Sequence, residues 1–423
     1  MALWSQLRSP RLALLLGTLA LCLVRARDQP GLGVGLGGTT ATIVPADLAL
    51  AALAVVAVSE LARHGVPRSA WAALVWATAF CALVLATGSA NGASAFVSGA
   101  KLVELAALGL GTLALVSTKQ QLEAIVDVLL LFTIAADAVG LVQFTTGGGG
   151  RQASFLGEHD FAALATLPLL YGLTLVLARR RGRRAALAIV AGSIGCILGS
   201  ALASLLGLYL GVATLIGIAA FRRKLHLRAV LVTAATLVAV TAGTLTIRSA
   251  DLGFLQSWFG KPASRPGQYA SSWSQRLIFA YIGGRIFIDH PLLGTGWYGD
   301  LPPDTFARYL PDARRRFSDQ PPRYFPRADG EFIPQQTFDQ VLYELGLAGA
   351  IALLGLLVAL GRACARTARR ALGSLSSLPA AWLAGSIGAL AGEGFFGGTP
   401  LAATFWLVAG VALAVVVPSE RAE

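Results

Sequence analysis

Long apolar runs alternate with short basic connections along the chain, and a single long polar interval, residues 248–336, breaks that rhythm. A run of about twenty apolar residues is enough to cross a bilayer as a helix. About twelve such stretches stand out, at 12–24, 44–61, 70–88, 95–116, 122–144, 160–178, 185–200, 203–221, 228–247, 337–361, 378–396 and 401–418. The pattern predicts an all-α polytopic membrane protein: nine transmembrane helices over 1–247, one large and partly helical external loop over 248–336, and three more helices with a short cytoplasmic tail over 337–423.

The connections set the orientation. Arg179, Arg180, Arg181, Arg183 and Arg184 fill one, Arg222, Arg223, Lys224 and Arg228 a second, and Arg362, Arg366, Arg369 and Arg370 a third. With twelve spans all three fall on one side, together with Arg8, Arg11, Arg63, Arg68 and Lys119, and the positive-inside rule makes that side cytoplasmic. Both termini are then expected in the cytoplasm and the 248–336 loop outside. Arg25 and Arg27 are the exception; Val24-Arg25-Ala26 is a poor signal-peptide cleavage site, so the first helix reads as an anchor.

Composition agrees: 55% of residues are apolar and only 13% charged, which excludes an ordinary soluble domain. The net charge of +12 resides in connections between helices and implies no nucleic-acid partner. Cys22, Cys81, Cys196 and Cys364 show no disulfide framework or metal-ligand spacing.

Charges inside spans are costly and mark positions that face protein or water. With each helix run in its expected direction, Asp47, Lys101, Glu104, Asp137, Asp160, Glu344 and Glu393 lie in outer halves, whereas Glu60 and Asp127 lie near the cytoplasm. Lys101 and Glu104, three residues apart, suit a helix-binding pair. The collective skew suggests a polar cavity open to the outside.

Within the loop, Ser271 and Ser272 precede a helical run from Trp273 to Asp289 that Pro291 closes after His290. The run is apolar nearly all round, so it should be buried or lie in the membrane interface. Arg276 and Arg285 stand on roughly opposite faces of it, so at most one points directly into a given site. The following Gly294-Thr295-Gly296-Trp297 permits a tight turn and is weak evidence for phosphate binding. Gly147 to Gly150 read as a flexible tip. With no nucleotide-binding domain in view, a donor substrate must arrive in the membrane.

The strings Trp273-Ser274-Gln275-Arg276-Leu277, Ile288-Asp289-His290-Pro291-Leu292-Leu293-Gly294-Thr295-Gly296-Trp297 and Gln335 to Gly349, in this order and before a late span, resemble the O-antigen ligase and polymerase superfamily. Arg151 to Asp160 is similar to that family's arginine-led segment before the sixth span, and Gly199-Ser200 to its mid-chain glycine and serine segment, without the arginine often found there. The likeness covers most of residues 95–396. It implies transfer or polymerisation of a glycan from an undecaprenyl-diphosphate-linked donor to an acceptor hydroxyl of a glycan or lipid on the outer face, without metal or nucleotide cofactor. Arg276 and Arg151 match the family's arginines, whose guanidinium forks would neutralise the departing diphosphate.

The family's usual histidine and asparagine are Gln335 and Gln336 here, and an amide accepts no proton at useful pH. Either Gln335 only orients the acceptor, or another group is the base, or transferase activity is lost. His159, Asp329 and Glu331 are the external alternatives, and His159 titrates nearest neutrality. Lys101, Arg285, His290, Trp297, Gln336 and Glu344 are candidates for lining or supporting a substrate site, with Trp297 and Tyr298 able to stack on sugars. The competing class, which the missing histidine supports, is a transporter or a non-catalytic glycolipid-binding protein; a transporter should show mid-membrane acidic residues or broken helices and an internal repeat, and neither a convincing repeat nor a central charge ladder is evident.

Overall fold

The computed structural model describes residues 9–147, 149–180, 182–249, 270–299, 301–327, 329, 332, 336–370, 375–392, 394–395 and 400–414. A helix occupies each of the twelve apolar stretches: α1 (Pro10–Cys22), α2 (Pro45–His64), α3 (Trp71–Ala90), the bent pair α4 (Ala93–Glu104) and α5 (Ala106–Leu115), α6 (Lys119–Thr146), α7 (Glu158–Leu177), α8 (Arg183–Gly199), α9 (Leu202–Phe221), α10 (Leu227–Ile247), and, after α11 (Ala270–Asp289), α12 (Pro303–Phe306) and α13 (Leu310–Arg316), the late helices α14 (Thr337–Arg370), α15 (Leu378–Leu390) and α16 (Pro400–Leu413). Among the described residues eight helices are long and apolar enough to cross a membrane, counting α4 and α5 as one; α1, α15 and α16 are shorter apolar helices.

One element departs from the all-α expectation. Leu32–Leu36 (β1) pairs antiparallel with Thr39–Ile43 (β2), joined at Gly37-Gly38, both at positive φ. A glycine pair is the natural two-residue hairpin turn, because both central residues need the left-handed region. The Leu-Gly-Val-Gly-Leu alternation carried that signal inside what reads as a simple connection.

At the centre stands α7, buried along its whole length and packed by α6, α8, α9, α10, α15 and α16. Without a hydrophobic drive between helices in lipid, close approach depends on small residues. A Cβ at Gly192 would lie 2.7 Å from the Ala165 carbonyl oxygen, and one at Gly199 3.0 Å from that of Glu158. Gly207 on α9 likewise meets the backbone of Gly385 and Gly388 on α15. These crossings bring the C-terminal ends of α8 and α15 beside the first turn of α7.

The described parts of the polar interval build a second, smaller core. Ile278, Phe279, Ile282 and Ile286 of α11 pack with Phe306, Leu310, Tyr324 and Phe325 and with Tyr343 of α14. Phe332 sits among Phe279, Phe306 and Tyr343 at ring separations of 5.3, 5.3 and 5.0 Å. One apolar face of α11 is thereby buried on protein, while Leu277 and Ile288 remain exposed.

The tenth stretch is one helix with a break. Gly346 adopts φ 58°, ψ −152°, and a Cβ there would lie 2.6 Å from the Leu292 carbonyl. Backbone N–H groups released by the break are satisfied from outside: Leu347 donates to Pro291 O at 2.8 Å and Ala348 to Leu292 O at 3.1 Å. The Pro291–Gly296 turn, suspected of phosphate contact only weakly, is the clamp on this break, with Thr295 N bonded to Tyr343 O at 3.0 Å.

Candidate active site

Two helix C-termini and one helix N-terminus meet at a single point. The last carbonyls of a helix lack intrahelical partners, and the aligned peptide dipoles make that end attractive to cations. At the end of α8, where Ser200 turns left-handed at φ 45°, Leu198 O accepts from Gln152 N at 2.9 Å, Gly199 O from Arg151 Nε at 3.2 Å, and Ser200 O from Arg248 Nη1 at 3.0 Å. Just beyond the end of α15, Gly392 O accepts from Arg276 Nη1 at 2.6 Å.

His159, in the first turn of α7, joins the group. Its Nε2 lies 3.3 Å from Arg276 Nη2; guanidinium only donates, so Nε2 is the acceptor and carries no proton in this contact. Arg151 also pairs with Glu158 at 2.7 Å, the arginine side chain 7% exposed and the glutamate 33%. Arg151, His159, Arg248, Arg276 and Gln336 then line one cavity of about 240 Å³, closed by Leu202, Leu206, Ala391 and Gly392.

Three guanidiniums border one cavity, each anchored at least in part on helix-end carbonyls, and each is a planar fork of N–H donors. An anion with several oxygens is the complementary guest.

Other residues singled out in the sequence lie elsewhere. Lys101 bonds Asp47 and lies 3.6 Å from Glu104; Asp47 and Glu104 border a separate, mainly apolar cavity of about 370 Å³. Arg285 faces away from the chamber, 3.8 Å from Asp312, whose carboxylate accepts from the Tyr281 hydroxyl at 2.6 Å. That bond, with one from Arg315, holds Asp312 below the usual carboxylate range and pushes Tyr281 up. His290 is exposed beyond the end of α11.

Trp297 is completely buried, its backbone N–H bonded to Thr87 Oγ1 at 3.0 Å and its ring against Gly99, so it offers no face to a sugar. Tyr298 is 41% exposed. Glu344 is buried and accepts from Gln340 Nε2 at 3.2 Å. Asp329 pairs with Arg327 at 2.9 Å. Gln335, Glu331 and Glu393 lie outside the described residues.

The outward skew of buried charge is therefore not one cavity. Asp160 accepts from Leu401 N at 2.8 Å at the start of α16, Asp47 from Val44 N at 2.8 Å at the start of α2, and both serve helix starts. The residue that sequence reasoning missed is Arg248. Its position directly after α10 was the available signal, but which carbonyl it would reach depended on the left-handed turn at Ser200.

Residues 186–354 match the family model described as O-antigen ligase. Over this segment, about two fifths of the chain, the protein is similar to the O-antigen ligase family. The match supports a membrane glycosyl-transfer role in polysaccharide assembly. A search of curated proteins finds no match to the chain. The O-antigen ligase segment contains Ser200, Arg248, Arg276 and Gln336, whereas Arg151 and His159 precede it, so the chamber is completed by residues outside the matched span.

Proposed function

We propose that the protein transfers or polymerises a glycan from an undecaprenyl-diphosphate-linked donor to an acceptor hydroxyl at the outer face of the bacterial cytoplasmic membrane. The observation that carries this reading is the convergence of Arg151, Arg248 and Arg276 on one chamber. At about 240 Å³ it is smaller than the ~300 Å³ at which pockets begin to enclose drug-sized ligands. It suits the charged diphosphate head, with the glycan and the isoprenoid chain outside it.

In the reaction the bond from the anomeric carbon to the phosphate oxygen breaks and the acceptor oxygen bonds to that carbon. Undecaprenyl diphosphate leaves with the electron pair. Charge grows on the phosphate oxygen as it departs, and preorganised guanidinium donors stabilise that charge more than the ground state. The acceptor proton needs a base, and His159 is the group in the chamber with an open lone pair once Arg276 turns from its Nε2 to the diphosphate. This assignment supplies what an amide at position 335 lacks.

The test is turnover by the full chain in bilayers supplied with lipid-diphosphate glycan and an acceptor. Loss of transfer in both Arg276→Ala and His159→Ala, with donor binding weakened only by the first, is expected. Undiminished transfer in either variant would overturn the corresponding assignment.

A further inference from the structure

A second feature of the bundle lies at the opposite end of the same helices. Near the chamber α9 and α15 touch backbone to backbone through Gly207 and Gly388. Towards the arginine-rich end α9, α14 and α15 enclose a groove of about 410 Å³. Its walls are apolar, including Ala365 and Ala384, and two of its residues are glycines, Gly217 on α9 and Gly361 on α14. Unlike Gly207 and Gly388, neither has any atom within 4 Å of where a Cβ would stand. The protein leaves this space unfilled on two helix faces.

The rim is cationic. Arg222, at the end of α9, and Arg369, near the end of α14, both border the groove, and no acidic residue among the described ones lines it. Arg222 donates from Nη1 to Ser376 Oγ at 2.7 Å, which holds its guanidinium over the connection to α15. Arg369 is exposed. An apolar slot at membrane depth excludes water and receives hydrocarbon at no polar cost, while two guanidiniums at its mouth favour a phosphate and oppose a headgroup ammonium.

We infer that the groove between α9, α14 and α15 binds an anionic diacyl phospholipid of the phosphatidylglycerol class, with an acyl chain against Gly217 and Gly361 and its phosphate between Arg222 and Arg369. The site is separate from the chamber and does not depend on the transfer reaction.

Native mass spectrometry and thermal unfolding of the full chain in detergent test it, with phosphatidylglycerol, phosphatidylcholine and inorganic phosphate as probes. Phosphatidylglycerol should be retained and raise Tm, while the other two should not. Replacing both arginines (R222Q with R369Q) should weaken phosphatidylglycerol binding roughly 30-fold, and replacing the exposed Arg369 alone (R369Q) about 5-fold. Filling the groove with Gly217→Leu and Gly361→Leu, where side chains have room, should abolish retention with both arginines intact. Equal retention of phosphatidylcholine, a Tm rise with phosphate alone, or unchanged phosphatidylglycerol retention in the arginine and groove-filled variants would overturn the site.

Discussion

Arg276 Nη2 lies 3.3 Å from His159 Nε2, tying α11 of the polar interval to the first turn of the central helix. One contact thus joins the proposed anion clamp to the proposed base. Arg276→Lys keeps the charge but loses the second donor of the fork, so it should not serve Gly392, His159 and a diphosphate together. The expected outcome is a fall in kcat of roughly 100-fold, measured on lipid-diphosphate glycan, with unchanged thermal stability.

Arg248→Gln tests a residue that no motif pointed to. It removes a cation from the chamber and leaves Ser200 O with a weaker partner. Transfer should drop by roughly 10-fold or more. Donor binding should also become less sensitive to salt, because one fewer charge is being screened.

At Gly346 the backbone lies at φ 58°, and an added methyl would press on the Leu292 carbonyl at 2.6 Å. Gly346→Ala therefore carries both torsional strain and a clash with backbone that cannot swing aside. A loss of about 2 kcal/mol is expected, read as a lowered Tm. Gly361→Ala, in open space on the same helix, should show no such loss.

Phe332→Ala removes the ring that joins Phe279, Phe306 and Tyr343. About 3 kcal/mol of the small core's stability should go with it. Because the membrane bundle has its own core, limited proteolysis within 301–327 should accelerate while bundle unfolding stays in place.

Acid should loosen the same segment through Asp312. Its carboxyl sits below the usual value, chiefly through the Tyr281 hydroxyl, so its contribution is complete above the unfolded pKa of about 4 and vanishes as pH falls through the depressed folded value. Tyr281 is raised; its share is complete below about pH 10 and is lost at higher pH as the phenol ionises. Protease protection should be flat between those limits and fall on either side of them, and Asp312→Asn should remove the acid limb.

Much of this architecture is legible in the sequence because apolar length and basic connections are local signals. The helix from Trp273 to Asp289, its stop before Pro291 and the opposed placement of Arg276 and Arg285 all follow from spacing, and the structure sets Arg276 in the chamber and Arg285 beside Asp312. What spacing does not encode is which polar group reaches which partner. Trp297 reads as a surface aromatic until Thr87 and Gly99 enclose it. Lys101 and Glu104 read as a pair on one helix face until Asp47 arrives from α2 as the nearer partner of Lys101. Arg248 acquires a role only when Ser200, 48 residues earlier, turns left-handed.

The break at Gly346 divides α14 into two stretches. The stretch from Thr337 to Leu345 is tied through Tyr343 to the Phe332 cluster, whereas the remainder packs along α3 within the bundle. The Pro291–Gly296 turn bonds to both stretches, through Tyr343 on one side and Leu347 and Ala348 on the other, so the end of α11 is locked to the tenth apolar stretch at its one irregular point.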